Sequence, residues 1–408
     1  MTVQPGSFAL SQIKPEDVGF SSERLGRIRT ALDRDIADSL IPGAVVGIAR
    51  RGRIAYLQAT GYRHRESSAP LAPDAIFSIA SMTKPMTSVA IMALVEEGRI
   101  LLADPVSKYL PDLGELYVAV ADNPGRLATR PASRQPTVLD LLRHTSGWTY
   151  RERGTTEAHA RYPGSSINAA VRYAKPEFLK ALAAAPLLHD PGTVWEYGFS
   201  TDVLGLIVEA VTGRTLGEVL RERIWGPLRM ADTSFDLGAA RRERYARALG
   251  LDPLTGQKQT IHHATDEKFQ WESGGGGAVS TVADYLLFAE MLRQGGALGG
   301  ARVLGRKTVS LMTADHLMPG NDTRIADVME PAATGYGFGL GFAVRRADGG
   351  SALMGSAGDF YWSGVYGTYF WIDPHEEMSC VFMAAAPGAI RLRYRQMMRA
   401  LVYQALVD

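Results

Sequence analysis

Ser81 and Lys84 stand three positions apart in the run Phe77-Ser-Ile-Ala-Ser81-Met-Thr-Lys84-Pro85. In a helical segment such a pair shares one face, one turn apart. The hydroxyl then sits at a helix start, where backbone N–H groups and the dipole favour negative charge. A lysine drawn into a partly dry site loses basicity and can take the hydroxyl proton. The pair thus carries the chemistry of a serine acyl enzyme that needs no histidine.

By itself the pair is a weak signal, since ordinary residue usage supplies about one Ser-x-x-Lys in a chain of this length. A second copy is present, Ser11-Gln-Ile-Lys14-Pro15. Context separates the two. Ser11 leads into Glu16, Asp17 and Gly19, which read as loop and turn. Ser81 leads into Met86-Thr-Ser-Val-Ala-Ile-Met-Ala-Leu-Val95 and a stop at Gly98. That run is apolar almost all round and predicts a buried helix. The bland alternative is a capping serine and a lysine that reaches the surface.

An acyl enzyme also needs a proton shuttle and N–H donors for the oxyanion. Tyr197, in Pro191-Gly-Thr-Val-Trp-Glu-Tyr197, follows a turn and precedes a helix opened by Asp202-Val-Leu-Gly. A phenol beside an ammonium can serve as acid or base. The donor segment is Asp359-Phe-Tyr-Trp362-Ser363-Gly364-Val365-Tyr-Gly367, where glycine lets a substrate lie along a strand edge.

The elements that position these groups form a two-part plan. Ser22 to Ser39 and Ile390 to Leu406 have helical spacing. Ala44–Arg50, Ile54–Ala59, Gly339–Val344, Gly367–Ile372 and Met378–Met383 read as strands. Between Met86 and Gly277 lie helical runs, such as Glu177 to Ala184 and Asp202 to Val211, and long loops. The expected fold is α/β (α+β): an antiparallel sheet from both termini, flanked by helices, with a mainly helical insertion. The boundaries are residues 1–85 and 278–408 for the sheet domain and 86–277 for the insertion. A cleft between them is the expected ligand site.

A formal net charge of +1 argues against nucleic acid or an acidic membrane surface as partner. The one cysteine, Cys380, leaves no intrachain disulfide and reads as a strand core residue. Met1–Leu10 holds neither a basic segment nor a long apolar region, so no signal or membrane span is expected and the cytoplasm is the default. His262-His263 has no second pair at ligand spacing, so no metal and no cofactor is expected. Gly274–Gly277 lacks a following Lys-Ser/Thr and reads as a tight turn lining the cleft. His144 sits where a helix should end and reads as structural. No Gly-x-Ser-x-Gly elbow occurs.

Taken in order, Phe-Ser-x-Ala-Ser81-x-Thr-Lys84, Leu141-Leu-Arg-His144-Thr-Ser-Gly-Trp148, Pro-Gly-Thr-x-Trp-x-Tyr197, Glu272-Ser-Gly-Gly-Gly-Gly277 and Trp362-x-Gly364 resemble the serine β-lactamase-related superfamily. The resemblance is nearest to the class C β-lactamase-like carboxylesterases (family VIII esterases) and spans about residues 20 to 405. It implies Ser81 as nucleophile, Lys84 as base partner, Tyr197 as the second-motif tyrosine and Trp362-Ser363-Gly364 as the third motif. It also implies an oxyanion hole from the backbone N–H groups of Ser81 and Val365.

Three departures bear on the substrate. Trp362 replaces the lysine that helps hold a substrate carboxylate in true β-lactamases and peptidases. Phe199 replaces the asparagine that contacts a substrate amide, and is assigned to the substrate site. Ser166-Ile-Asn168 is a literal Ser-x-Asn, but its surroundings read as loop and Tyr197 is preferred as the second motif. The expected activity is hydrolysis of small-molecule carboxylic esters with small or medium acyl groups. A β-lactamase, amide hydrolase or acyltransferase shares the machinery; a non-catalytic sensor is the rival of another class. Lys84 and Tyr197 titrate as a coupled pair, and the choice of base between them stays open.

Overall fold

The computed structural model describes residues 10–120, 127–317 and 331–408; the segment read for a leader thus lies largely outside them. Both ends of the described chain feed one eight-stranded sheet. The N-terminal part supplies helix α1 (Ser22–Ala37) and strands β1 (Gly43–Arg50), β2 (Arg53–His64) and β3 (Ala69–Pro70). The C-terminal part supplies β4 (Tyr336–Phe338), β5 (Ala343–Arg345), β6 (Phe360–Ser363), β7 (Thr368–Asp373) and β8 (Met378–Ala384). Their order is β4-β5-β6-β7-β8-β1-β2-β3, with every neighbouring pair antiparallel. Of the expected strand Gly339–Val344, only Ala343 and Val344 are strand, in β5, and residues 339–342 form the turn between β4 and β5. Gly341 has φ 105° there, a conformation that favours glycine and breaks the strand.

β1 and β8 are buried along their whole length, which requires cover on both faces of the sheet. Between the two halves run α2 (Thr83–Glu96), α3 (Ser166–Arg172), α4 (Ser200–Thr212) and α5 (Val282–Arg293); α6 (Ile390–Tyr403) closes the chain. α5 covers one face, where Tyr285 packs 4.9 Å from Phe370 between ring centroids. α1 and α6 cover the other. Tyr394 of α6 stacks on Phe382 at 5.7 Å and donates a hydrogen bond to Asp35 of α1 at 3.2 Å. Cys380 is buried in β8. The middle of the chain also holds a two-stranded ribbon, Tyr117–Val120 with Ala128–Pro131, beyond the helices and loops expected there.

α2 runs through the interior. Every residue from Thr83 to Leu94 is buried, and the helix packs against α4. An apolar run without a polar face has no other stable place in a water-soluble fold. Among the described residues, no helix is long and apolar enough to cross a membrane.

Candidate active site

Ser81, the candidate nucleophile, stands on a pinned turn. Ala80–Met82 form one 3-10 turn leading directly into α2. Ala80, the residue before Ser81, has φ 45°, a left-handed conformation that costs an alanine about 1–3 kcal/mol. The neighbouring bonds hold it there. Thr83 Oγ1 donates to the Ala80 carbonyl at 2.7 Å and accepts from the Ala278 N–H at 3.1 Å. Tyr285 Oη donates to the Met82 carbonyl at 2.8 Å. Ser81 is thereby turned to the cavity while Lys84, 1% exposed, stays inside.

Lys84 Nζ uses all three of its donor directions. It donates to Ser81 Oγ at 3.3 Å, to Tyr150 Oη at 3.2 Å and to the Gly275 carbonyl at 2.6 Å. Tyr197 Oη donates to Ser81 Oγ at 2.9 Å. The lysine also lies 4.8 Å from the centre of the Tyr197 ring, in cation–π contact with it. Ser81 Oγ therefore meets both groups named from the sequence.

Tyr197 is fixed from two sides. Trp195, His144 and Trp362 surround its ring at centroid distances of 6.1, 4.9 and 5.4 Å. The His144 carbonyl accepts the Glu196 N–H at 2.8 Å, and Ser146 Oγ meets Ser200 Oγ at 2.8 Å. Burial, with Lys84 nearby, holds the His144 imidazole well below its ordinary pKa. Its ring packs against Tyr197 and is not among the residues lining the cavity.

Tyr150, Ser166 and Asp202 are linked to Lys84 by hydrogen bonds that the sequence does not reveal. Tyr150 Oη lies 2.6 Å from Ser166 Oγ, and Ser166 Oγ donates to Asp202 Oδ2 at 2.5 Å. Asp202 Oδ1 accepts from Ser273 Oγ at 2.5 Å and from the Gly275 N–H at 3.1 Å. Burial pushes the Asp202 carboxyl up, against the pull of Lys84 and these donors. Burial, with the charges of Tyr197 and Asp202, raises the Tyr150 phenol well above its ordinary range. Gly275 must be glycine, because a Cβ there would strike Ser166 Oγ and Asp202 Oδ2. The loop reading of Ser166 is corrected: it opens α3 and is 4% exposed. The only sequence signal for Asp202 was a carboxylate in the first turn of an apolar helix, which a dipole argument absorbs.

The third motif lies on β6 and the turn after it. Trp362 is 1% exposed and packs on Tyr197 and Phe338. Gly364 donates its N–H to the Thr368 carbonyl at 2.8 Å, and a Cβ there would strike Thr368 Oγ1 and the Ile79 carbonyl, so the strand edge and the nucleophile turn touch. Among the described residues, neither the Ser81 nor the Val365 N–H is bonded to a protein acceptor. Both residues line the same cavity, of about 350 Å³, with Tyr150, Ser166, Tyr197, Trp362 and Ser363. A larger depression between α1 and β2, about 660 Å³, contains none of these groups. Phe199 is corrected: it is fully buried, outside the cavity wall, and backs Tyr150 at 4.8 Å and Phe178 at 5.2 Å between ring centroids. Its apolar ring belongs with that cluster. The second copy of the pair does not assemble: Ser11 is exposed and its Oγ accepts from Arg53 at 2.7 Å.

Comparison with known proteins bears on the family and the fold. The sequence model of the family described as Beta-lactamase matches residues 28–402. Protein Rv1367c of Mycobacterium tuberculosis is 34% identical over 364 residues, covering 86% of this chain and 87% of its own. Esterase EstB of Burkholderia gladioli is 30% identical over 366 residues, covering 85% of this chain and 86% of its own. Among solved structures, EstCE1, described as a hydrolase with promiscuous acyltransferase activity, superposes with a TM-score of 0.76 at 28% identity, over 93% of this chain and 99% of its own.

Proposed function

The chain belongs to the Beta-lactamase family, and from that premise we propose that it hydrolyses carboxylic esters of small or medium acyl groups through an acyl-enzyme on Ser81. One observation carries the reading: Ser81 Oγ lies between Lys84 Nζ and Tyr197 Oη, while Trp362 stands where a carboxylate-holding lysine would be needed for a β-lactam.

In this mechanism the Lys84–Tyr197 pair takes the Ser81 proton as Oγ attacks the ester carbonyl. The oxyanion forms between the N–H groups of Ser81 and Val365, whose fixed dipoles need no reorganisation. Tyr197 returns the proton to the leaving alcohol. Water, deprotonated by the same pair, then cleaves the acyl-enzyme. The similarity to Esterase EstB supports the substrate class. A cytoplasmic setting belongs to the same proposal, in keeping with the single unpaired Cys380.

Acyl transfer is the second reading, favoured by the described side activity of EstCE1. An alcohol in place of water at the second step gives it without any change of machinery. The test is a panel of p-nitrophenyl esters with wild type and Ser81→Ala, run beside nitrocefin and repeated with a primary alcohol added. Ester turnover lost in Ser81→Ala is the expected result. Fast nitrocefin cleavage with negligible ester cleavage would overturn the assignment. An alkyl ester product formed faster than free acid would move it to transfer.

A further inference from the structure

Lys84 does not meet its surroundings only through Ser81. Two of its three hydrogen bonds lead, by separate routes, to one buried carboxylate. The first runs from Lys84 Nζ to Tyr150 Oη, on to Ser166 Oγ and then to Asp202 Oδ2, at 3.2, 2.6 and 2.5 Å. The second runs from Lys84 Nζ to the Gly275 carbonyl at 2.6 Å, with the Gly275 N–H donating to Asp202 Oδ1 at 3.1 Å. Ser273 Oγ completes the shell of Asp202 at 2.5 Å. Asp202 and Lys84 are 0% and 1% exposed.

We propose that Tyr150, Ser166 and Asp202 are positioning residues that hold Lys84 against Ser81 and set the pH at which the Lys84–Tyr197 pair becomes basic. This inference rests on the acyl-enzyme reading of Ser81. The physical argument needs no choice of base. The active pair has lost one proton relative to ammonium plus phenol, whether lysine or tyrosine gave it up. Asp202 faces the Lys84 ammonium and three hydrogen-bond donors that favour its ionised form against burial, and its negative charge opposes that loss in both cases. The other groups facing the pair are the same in wild type and in an Asp202 variant, so a comparison of the two isolates the Asp202 charge. His144 is held neutral by burial. Tyr150 is held as the phenol, because burial and the charges of Tyr197 and Asp202 raise its pKa. Glu152 and Arg153, with Arg391 and Arg395 of α6, also line the cavity.

An aspartate-to-asparagine change removes the charge and keeps the shape. The hydroxyls of Ser166 and Ser273 can turn to suit the new amide. Asp202→Asn is therefore expected to move the acid limb of the pH–rate profile down by about one pH unit. Tyr150→Phe cuts one route and leaves the charge, and is expected to move it in the same direction by less. A merely structural role lowers the rate equally at every pH and moves no limb.

The experiment measures kcat/KM for p-nitrophenyl butyrate against pH in wild type, Asp202→Asn and Tyr150→Phe. In parallel it follows the pH dependence of fluorophosphonate labelling of Ser81 by intact mass, which needs no ester turnover. Downward limb shifts ordered Asp202→Asn beyond Tyr150→Phe support the proposal. Unmoved limbs in folded variants overturn it, even if esters are cleaved. If no ester is cleaved but the labelling limb still shifts, the relay stands and the ester reading falls. Should Asp202→Asn fail to fold, the labelling limb of Tyr150→Phe decides: a downward shift supports the relay and an unmoved limb refutes it.

Discussion

Replacing Tyr197 with phenylalanine isolates one atom. Among the described residues, the Tyr197 hydroxyl has a single hydrogen-bond partner, Ser81 Oγ at 2.9 Å. The ring contacts with His144, Trp195 and Trp362 survive the change. Ser81 is part-exposed, so water can replace the lost donor, and stability should change by less than about 1 kcal/mol. The catalytic loss should be far larger. General acid–base assistance is worth about 10²–10⁴-fold, which is about 3–5 kcal/mol of barrier at about 1.4 kcal/mol per tenfold. The size should depend on the leaving group. A nitrophenolate departs without a proton, whereas an alkoxide does not, so a shuttle role predicts a greater loss on ethyl butyrate than on p-nitrophenyl butyrate. Steady-state kinetics on both esters, with a thermal melt as folding control, provide the assay. A Tyr197→Phe enzyme within about threefold of wild type on both esters would refute the shuttle. An equal loss on both would confine Tyr197 to activating Ser81.

Gly364→Ala places a methyl against Thr368 Oγ1 and the Ile79 carbonyl; with the Val365 N–H displaced, kcat should fall about 10²-fold with KM little changed. Trp362→Ala empties the place of a ring that is 1% exposed, and should lower stability by about 3–5 kcal/mol while shifting preference from butyrate toward octanoate esters, read by chemical denaturation and an acyl-length panel. Burial raises Asp284 at the start of α5 to about 6. Because its folded-state pKa lies above the unfolded one, its favourable contribution is present at low pH and is lost as pH rises through that value. Asp284→Asn should therefore remove roughly 2–3 kcal/mol of pH dependence between acid and neutral solution, measured as urea midpoints; identical slopes in variant and wild type would reject this.

Much of the fold was legible because it is written in local periodicity. The apolar run after Lys84 became a fully buried α2, and the strand-like segments at both ends joined one sheet. The split of Gly339–Val344 was missed because glycine in an apolar run looks like strand until Gly341 takes a positive φ. Phe199 was assigned to the substrate from its place two residues after Tyr197, yet it packs away from the cavity behind Tyr150. Ser166 was set aside because nothing near it in the chain carries a pattern; its partners are 16 and 36 residues away.

What the sequence alone determined is the Ser81–Lys84 pair and the element that carries it. Three positions on a helical path fix which face two side chains share, and an apolar run fixes that the path is buried. What only the tertiary structure decided is the company that pair keeps. Tyr150 lies 66 residues from Lys84, Tyr197 lies 116 from Ser81, and Gly275 lies 191 from Lys84. Contacts at such separations follow from how α2, α4 and the glycine-rich turn pack together. Periodicity predicts that a helix buries a face, but not which atoms its buried lysine will meet.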